Sequence, residues 1–565
     1  MKTMKRLSSF NKFFLALVFL LINNQITFAA PLPEPDLPND WQSITSGIDY
    51  QVFHLNNPRP VNVFVTRMDR SNPNVTIETS IAQGKIASGR ESITGMAGRY
   101  EQAINYWGQD WGARNNVVVA VNGYYFDGAT GTPWSGVVNS GWYTKRFTNV
   151  VGDAGFAWTL DRNAHIGSCV SHTSSKNTIT YVGADLSTNI RGINLPAASE
   201  DLILYTPQYD SNTRTASGSP LPRVELVVQM SRPALILPPP NASARGYIKQ
   251  IRTSGFSSQI PFDHVVISAW GGVGDTILSR VNGGTIAVGD EIRISQEISN
   301  CASAPQVDWT KTYASIGGDY HFLNNSVIRT NFSNPDAGVR NSRTAVAYND
   351  NYVFFIVVDA FDPGVSEGLN IAQLADFTKN ILGATWGVTL DSGTSSTMVL
   401  NHQVVNNTYC NFTRDCGMLL GAEASNLQDP IILPLEETYG TEWTDESGVI
   451  EPLVGTGLMM VLVETKQQSI AHPVGEIVLT ISPTELRLGP GTNYASIASI
   501  PALTAGTVLD SLPGILAKGS HWWKVDFNGQ EGWVKGEALL RTTVPGDNTI
   551  FLPGVYKSGV SVQVD

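Results

Sequence analysis

Three segments near the start of the chain, DYQVFHL, PVNVFVTRMD and NVTIETSIA, place an apolar or β-branched residue at every second position, the period of a half-buried strand. Residues 91–107, ESITGMAGRYEQAINYW, change to a helical period. The NNVVVAVNGYYF that follows is apolar almost without a break, which predicts a strand covered on both faces. The same patterns predict strands in DLILYTP, RVELVVQM, HVVISAW, EIRISQEI, RTAVAYND, YVFFIVVDA and GVTLDSG. Only residues 370–382, NIAQLADFTKNIL, read as another helix, with Ile371, Leu374, Ala375, Thr378, Ile381 and Leu382 on one stripe. The expected fold class is therefore α+β: a large mixed β-sheet domain with few helices over residues 45–425, followed by a small all-β unit.

The ends of the chain read differently. Lys2, Lys5, Arg6 and Lys12 precede an apolar run at 13–22, and Thr27 and Ala29 stand where a signal peptidase inspects the chain. That run is too short for a hydrocarbon core of about 30 Å. Residues 1–29 are read as a secretory leader and 30–44 as a Pro-rich extended arm, which predicts a secreted or cell-wall-associated protein with no transmembrane segment after cleavage. Residues 426–475 carry weaker signals; GTGLMMVLVET is either a strand packing onto the main domain or part of a connector. From 476 to 542 the pattern LRLGPGTNY, WWKV, GWV and ALL resembles the bacterial SH3-like domain. That resemblance implies a small barrel and, as one use, attachment to peptidoglycan. Residues 543–565 are left as a tail.

Composition narrows the partners. With 37 Lys+Arg against 49 Asp+Glu, a formal charge of -12 and only 15% charged residues, no basic tract is available to neutralise a polynucleotide backbone. Export makes the four cysteines candidates for disulfides, and no CxxC knuckle competes for them. Cys410 and Cys416 flank a short loop, NFTRD, and elimination leaves Cys169 with Cys301. The eight His include no HExxH or HxH pair, so no familiar zinc ligand set is present.

Candidate chemistry lies where apolar strands stop, because a strand end exposes a side chain on a rigid support. Asn122, Gly123 and Asp127 follow VVVAV; a Gly-Gly pair delivers Asp319; Arg343 opens one strand and Asp359 closes another; Asp391 ends WGVTL, before Gly393, Ser395 and Ser396.

The order of these blocks, NGYYFDGATGTPWSG, RGIN, IGGD, SRTAVA and VVDAFDPGVSEGLNIAQLADFTKNILGATWGVTLDSGTSSTM, resembles the phosphodiester glycosidase family over most of residues 45–425. Three positions depart from it: Ser392 and Thr394 replace glycines of an Asp-Gly-Gly-Gly run, and Thr389 replaces an Asn. A Ser at 392 is costly if the backbone there needs a positive φ.

The resemblance implies hydrolysis of a sugar-1-phosphodiester, in a cell-wall or capsular glycopolymer. Such a bond needs a carboxylate pair, a cation for the departing phosphate and ligands for the ring. Asp391 is the first choice for a catalytic carboxylate, with Asp319, Asp359 and Glu367 competing to be the second. Arg343 is expected to clamp phosphate with its planar fork unless an acid neutralises it. Gly393, Ser395 and Ser396 would offer amides and hydroxyls, and Asn122 a sugar contact, with Gly123 and Asp127 beside it. No motif fixes a cofactor. A Ca²⁺ shared by Asp127, Asp319 and Asp391 suits the residue types, but no EF-hand-like spacing specifies it. The other reading is a non-catalytic wall- or exopolysaccharide-binding protein on the same fold.

Overall fold

The computed structural model describes residues 40–56, 59–86, 89–102, 113–145, 154–170, 176–231, 244–298, 307–410, 451–464, 472–492, 494–509, 515–517 and 520–542. The leader, Cys301, Cys416, most of 426–475 and the tail lie outside the described residues. Cys169 and Cys410 are both disulfide-bonded.

Among the described residues the strands are distributed over five sheets rather than one large one, and the named pairs are antiparallel except for Gly192–Ile193 with Leu202–Tyr205. The apolar runs arise from sheets packed face to face, which buries a strand on both sides without parallel pairing. One core joins three sheets. It takes Phe64, Val346, Phe355 and Val388 from the first, Phe156, Tyr313 and Ile316 from another, and Val119, Val121, Met398 and Met460 from a third.

Three α-helices are present among the described residues. Ile371–Asn380 buries Ile371, Leu374, Ala375 and Phe377 against the first sheet, and its start is closed by a capping box in which Asn370 and Gln373 satisfy each other's backbone N–H groups. Ile93–Gln102 falls within the predicted helix and lays Ile93, Met96 and Ala97 on the sheet containing Ala113–Asn122. Gly271–Asn282 was not anticipated: it packs on the inserted eight-stranded sheet of residues 178–295 and buries only Gly274 and Ile277, too narrow a stripe to read from sequence.

The segment around GTGLMMVLVET is no connector. Thr456–Glu464 is a strand bonded to Val75–Ile81 on one side and Ala113–Asn122 on the other. Because Met459 and Met460 are buried at 0% exposure, the main domain is incomplete without it.

The C-terminal strands, from Ile477–Thr480 to Leu539–Arg541, enclose their own core of Val478, Leu486, Val508, Trp523, Val525 and Val534. This unit is fastened to the inserted sheet. Phe262 meets Tyr494 and Trp533 edge-on at 5.8 and 5.9 Å, and its amide donates to the Leu488 carbonyl at 2.7 Å. Beside it Lys524 Nζ donates to Asp263 Oδ2 at 2.6 Å, with both side chains 4% exposed.

Candidate active site

Three sheets converge on one point at their strand ends. Asn122 closes Ala113–Asn122, Gly318 closes Thr312–Gly318 ahead of Asp319, Arg343 opens Arg343–Tyr348, and Asp391 follows Trp386–Thr389. The Gly-Gly pair permits the approach: a Cβ on Gly318 would sit 2.4 Å from Val388 Cγ2, and one on Gly317 would sit 2.4 Å from Ser135. The Asp319 amide then donates to the Thr389 carbonyl at 2.9 Å, which ties together strand ends from two different sheets.

Asp391 is 7% exposed and accepts from Ser395 Oγ at 2.7 Å. Burial raises its pKa to about 7; the Ser395 hydroxyl and the Ser392 amide oppose this, and the charge of Asp319 adds to it. Asp319 is raised by burial too, but the Tyr125 hydroxyl, donating at 3.3 Å to Oδ2, and the Arg343 charge hold it back. Two neighbouring carboxyls thus have different environments, the arrangement that separates an acid from a base.

Arg343 is 3% exposed and makes no ion pair among the described residues. Its Nε donates to the Leu369 carbonyl at 3.2 Å, and Nη2 donates to those of Asp336 and Val339 at 3.1 and 2.8 Å. Burial lowers its pKa, while Tyr320, Tyr125, Asp319 and Asp336 support the charge. Two nitrogens fix the guanidinium, and Nη1 has no hydrogen bond to a described residue.

The remaining expected site residues are placed elsewhere or in other roles. Asn122 is fully buried with its amide committed: Nδ2 donates to the Asp391 carbonyl at 2.8 Å, and Oδ1 accepts from Thr344 Oγ1 and the Thr397 amide at 2.7 and 3.1 Å. Its hydrogen bonds hold the turn at Asp391, which leaves its amide uncommitted to a sugar. Gly123 is a packing glycine, since a Cβ there would meet Thr456 Oγ1 at 2.2 Å. The Gly393 and Ser396 amides are used internally, on the carbonyls of Ser342 and Gly393. Ser396 Oγ is buried without a hydrogen-bond partner among the described residues.

Asp359 sits behind the site. It accepts from Asn406 Nδ2 at 2.9 Å and the Asn407 amide at 2.8 Å, and Asn406 also holds the Ser396 carbonyl and the Met398 amide. Burial raises Asp359 to about 7 against those two donors. Glu367 is paired with Arg59 at 2.5 Å, outside the acid cluster. Its neighbour Ser366 lies in GVSEG, the spacing of a serine-hydrolase elbow. Ser366 is nevertheless 1% exposed, and its Oγ donates to the Asp359 carbonyl and accepts from the Asn62 amide. No nucleophile is presented there.

Asp127 is in an exposed turn, where Oδ1 accepts from the amides of Ala129 and Thr130 and from Thr130 Oγ1. The Ca²⁺ arrangement of Asp127, Asp319 and Asp391 is therefore not formed, and no cluster of three metal-ligating side chains occurs among the described residues. Tyr125 and Asn406 are the contributors that sequence reasoning passed over; the aromatic pair in NGYYF was the available signal for the first.

Ser392 has φ -123° and ψ 179°, ordinary extended backbone, whereas Gly393 carries the positive φ of 74°. The departure at 392 thus introduces no strain, and its amide still serves Asp391. Ser392→Gly is expected to leave kcat/KM on the substrate within about twofold; a rise of tenfold or more would show that the Ser side chain obstructs the site.

Residues 270–422 match the family model described as NAGPA, phosphodiester glycosidase. That stretch contains Asp319, Arg343 and Asp391 but not Asn122 or Tyr125. No curated protein matches the chain. Among solved structures, a hypothetical protein from Synechocystis is similar at 16% identity with a TM-score of 0.45, over 76% of this chain and 64% of that one. The chain so spans just under two thirds of that protein. The catalytic domain of zebrafish N-acetylglucosamine-1-phosphodiester alpha-N-acetylglucosaminidase, auto-inhibited by its pro-peptide, is similar at 12% identity with a TM-score of 0.33, over 78% of this chain and 96% of that one. No helix among the described residues is long and apolar enough to cross a membrane.

Proposed function

We propose that this protein is an exported glycosidase that hydrolyses a sugar-1-phosphodiester, with a cell-wall or capsular glycopolymer as its substrate. The observation that carries the reading is the convergence of Asp319, Asp391 and Arg343 within the stretch that matches the phosphodiester glycosidase family model.

Arg343 receives the phosphate. Its Nε and Nη2 are already held by carbonyls, so the charge is oriented before substrate arrives and little reorganisation is needed as negative charge builds. Asp391, half protonated near neutrality, gives its proton to the departing phosphate oxygen. Asp319, which accepts from the Tyr125 hydroxyl and lies near the Arg343 charge, is assigned the base: it supports the positive anomeric carbon and takes a proton from the attacking water. The water oxygen ends on the sugar, and solvent exchange returns both carboxyls to their starting states.

The C-terminal unit is read as an SH3-like module that braces the inserted sheet. Its Tyr494, Trp522 and Trp533 are packed with Phe262, so that aromatic face is not offered to a wall ligand. Its attachment to peptidoglycan would need another surface.

The test is incubation of the purified protein with a panel of sugar-1-phosphodiesters, following release of reducing sugar. Release by wild type is expected, and its absence across the panel overturns the reading. Arg343→Lys, which keeps the charge but loses the Nε and Nη2 bonds that orient it, is expected to reduce kcat/KM on phosphodiesters by about 10²-fold. An equal loss on neutral glycosides would remove the clamp role.

A further inference from the structure

The sheet that delivers Asp319 carries a cation on its edge strand. Trp142–Lys145 pairs antiparallel with Val137–Asn139, which pairs antiparallel with Thr312–Gly318. The outer two strands therefore run the same way, and Lys145 and Gly318 close them at the same end. Val137 is level with Lys145 on one side and with Ile316 on the other. The chain before Val137 continues beside the outer strand, since a Cβ on Gly317 would meet Ser135 at 2.4 Å. Lys145 Nζ donates to the carbonyl of Pro133, two residues earlier still, so the amine is carried past its own strand end toward the end where Asp319 stands.

From there the path to the candidate acids is short. The Trp134 amide donates to the Tyr125 carbonyl at 2.8 Å, Phe126 bridges Pro133, and the Tyr125 hydroxyl reaches Asp319 Oδ2 at 3.3 Å. The lines of Lys145 and Asp319 are two strand spacings apart, about 10 Å. One substrate can therefore meet both.

The surroundings of this amine do not neutralise it. Lys145 is partly buried, yet no carboxylate among the described residues pairs with it, and burial lowers its pKa to about 8. It remains mostly protonated at neutrality. Carboxylates are not scarce in a chain with 49 acidic against 37 basic residues, and the buried Lys524 is paired with one, Asp263. Holding a desolvated ammonium on a carbonyl orients the charge without cancelling it, as for Arg343, and leaves a cost that an arriving anion offsets. A neutral donor would tether Pro133 without that cost.

We infer that Lys145 Nζ binds a second anionic group of the substrate, apart from the phosphate held at Arg343. This rests on the proposed sugar-phosphodiesterase chemistry and narrows its substrates to diesters with at least two negative charges, the extra one on the alcohol or on the sugar ring.

The test uses three diesters of one sugar 1-phosphate: with a plain alkyl chain, with a phosphate at the far end of that chain, and with the plain chain on the corresponding uronic acid. Wild type is expected to prefer at least one of the two doubly charged diesters to the plain one, and the substrate that responds shows whether the second anion is on the alcohol or on the ring. Lys145→Gln, which keeps a donor but no charge, is expected to reduce that preference in kcat/KM by about tenfold, chiefly through KM, and Lys145→Arg to retain most of it. No preference in wild type, a preference that survives in Lys145→Gln, or an equal loss on all three diesters overturns the inference and leaves the proposed chemistry intact. Unfolding midpoints are compared with that of wild type, and Lys145→Met replaces Gln if Gln lowers the midpoint. If wild type cleaves none of the three, the proposed chemistry fails on these substrates and calorimetric titration decides on Lys145. Tighter binding of a doubly charged diester than of the plain one, lost in Lys145→Gln, supports the site; equal binding overturns it.

Discussion

Asp391→Asn removes turnover without harming the fold: kcat/KM on a sugar-1-phosphodiester falls by roughly 10²- to 10⁴-fold, the range of a lost general acid. The amide oxygen can still accept from Ser395 Oγ and the Ser392 amide, so the turn survives. Stability should rise at alkaline pH. The carboxyl has a pKa of about 7 in the folded chain against 3.8 for the ordinary side chain, so the folded state holds a proton that the unfolded state has released between those values. Its stabilising contribution is present at low pH and is lost as pH rises through 7. A neutral Asn escapes that loss, and at pH about 8 the gain is on the order of 2–4 kcal/mol. Turnover by wild type should likewise decline above pH about 7 as Asp391 ionises. Denaturation at low and high pH, with kinetics on the same preparations, checks these statements. Retained turnover would exclude Asp391 as the acid, and a stability loss at alkaline pH would mean that its buried charge is compensated.

The second large effect lies far from the chemistry. Lys524→Met leaves Asp263 charged, 3% exposed and supported only by His264 and Gln229, which is expected to cost about 3–5 kcal/mol. Burial pushes Asp263 up, yet the neighbouring His264 and Lys524 outweigh it and hold the carboxyl well below its ordinary 3.8. A depressed carboxyl contributes stability above the unfolded value and loses it as pH falls through the folded one. The gap between variant and wild type should accordingly narrow below pH 3.8. Urea unfolding together with limited proteolysis is the measurement: a lower midpoint and earlier cleavage of residues 476–542 are expected. Wild-type behaviour in both would mean that Phe262 and its aromatic partners hold the unit alone.

How much was legible in the sequence depended on whether a residue's role is local. Strands such as Val61–Asp69 and Tyr352–Val358 declare themselves through period and apolar density. The helix Ile371–Asn380 does so through its stripe. Asp319 and Asp391 could be suspected because each ends an apolar run, and Gly317–Gly318 because two glycines in a buried strand usually admit a neighbour. What could not be read is what each residue meets. Asn122 was expected to hold a sugar, and only the fold reveals that it is used up on Asp391, Thr344 and Thr397. Asp359 and Asp391 look alike in sequence, and both are raised to about 7 by burial, but one lies behind Asn406 and the other beside Asp319. The division into several antiparallel sheets was also hidden, because an apolar run reports burial on both faces without saying what covers them.

The strand Thr456–Glu464 has a bearing on biogenesis. It lies between two other strands of its sheet, and Thr456 Oγ1 accepts from the amide of Tyr124, 332 positions earlier in the chain. A chain emerging from its N-terminus therefore presents Val75–Ile81 and Ala113–Asn122 as two strands with a gap between them until the last third has appeared. Contacts of such long range form slowly and leave unpaired edges exposed in the meantime. Assembly of the turn at Asp391 is thus a late event, and a nascent or truncated chain lacking this strand is expected to leave the candidate site unformed and to be prone to stick to its own kind.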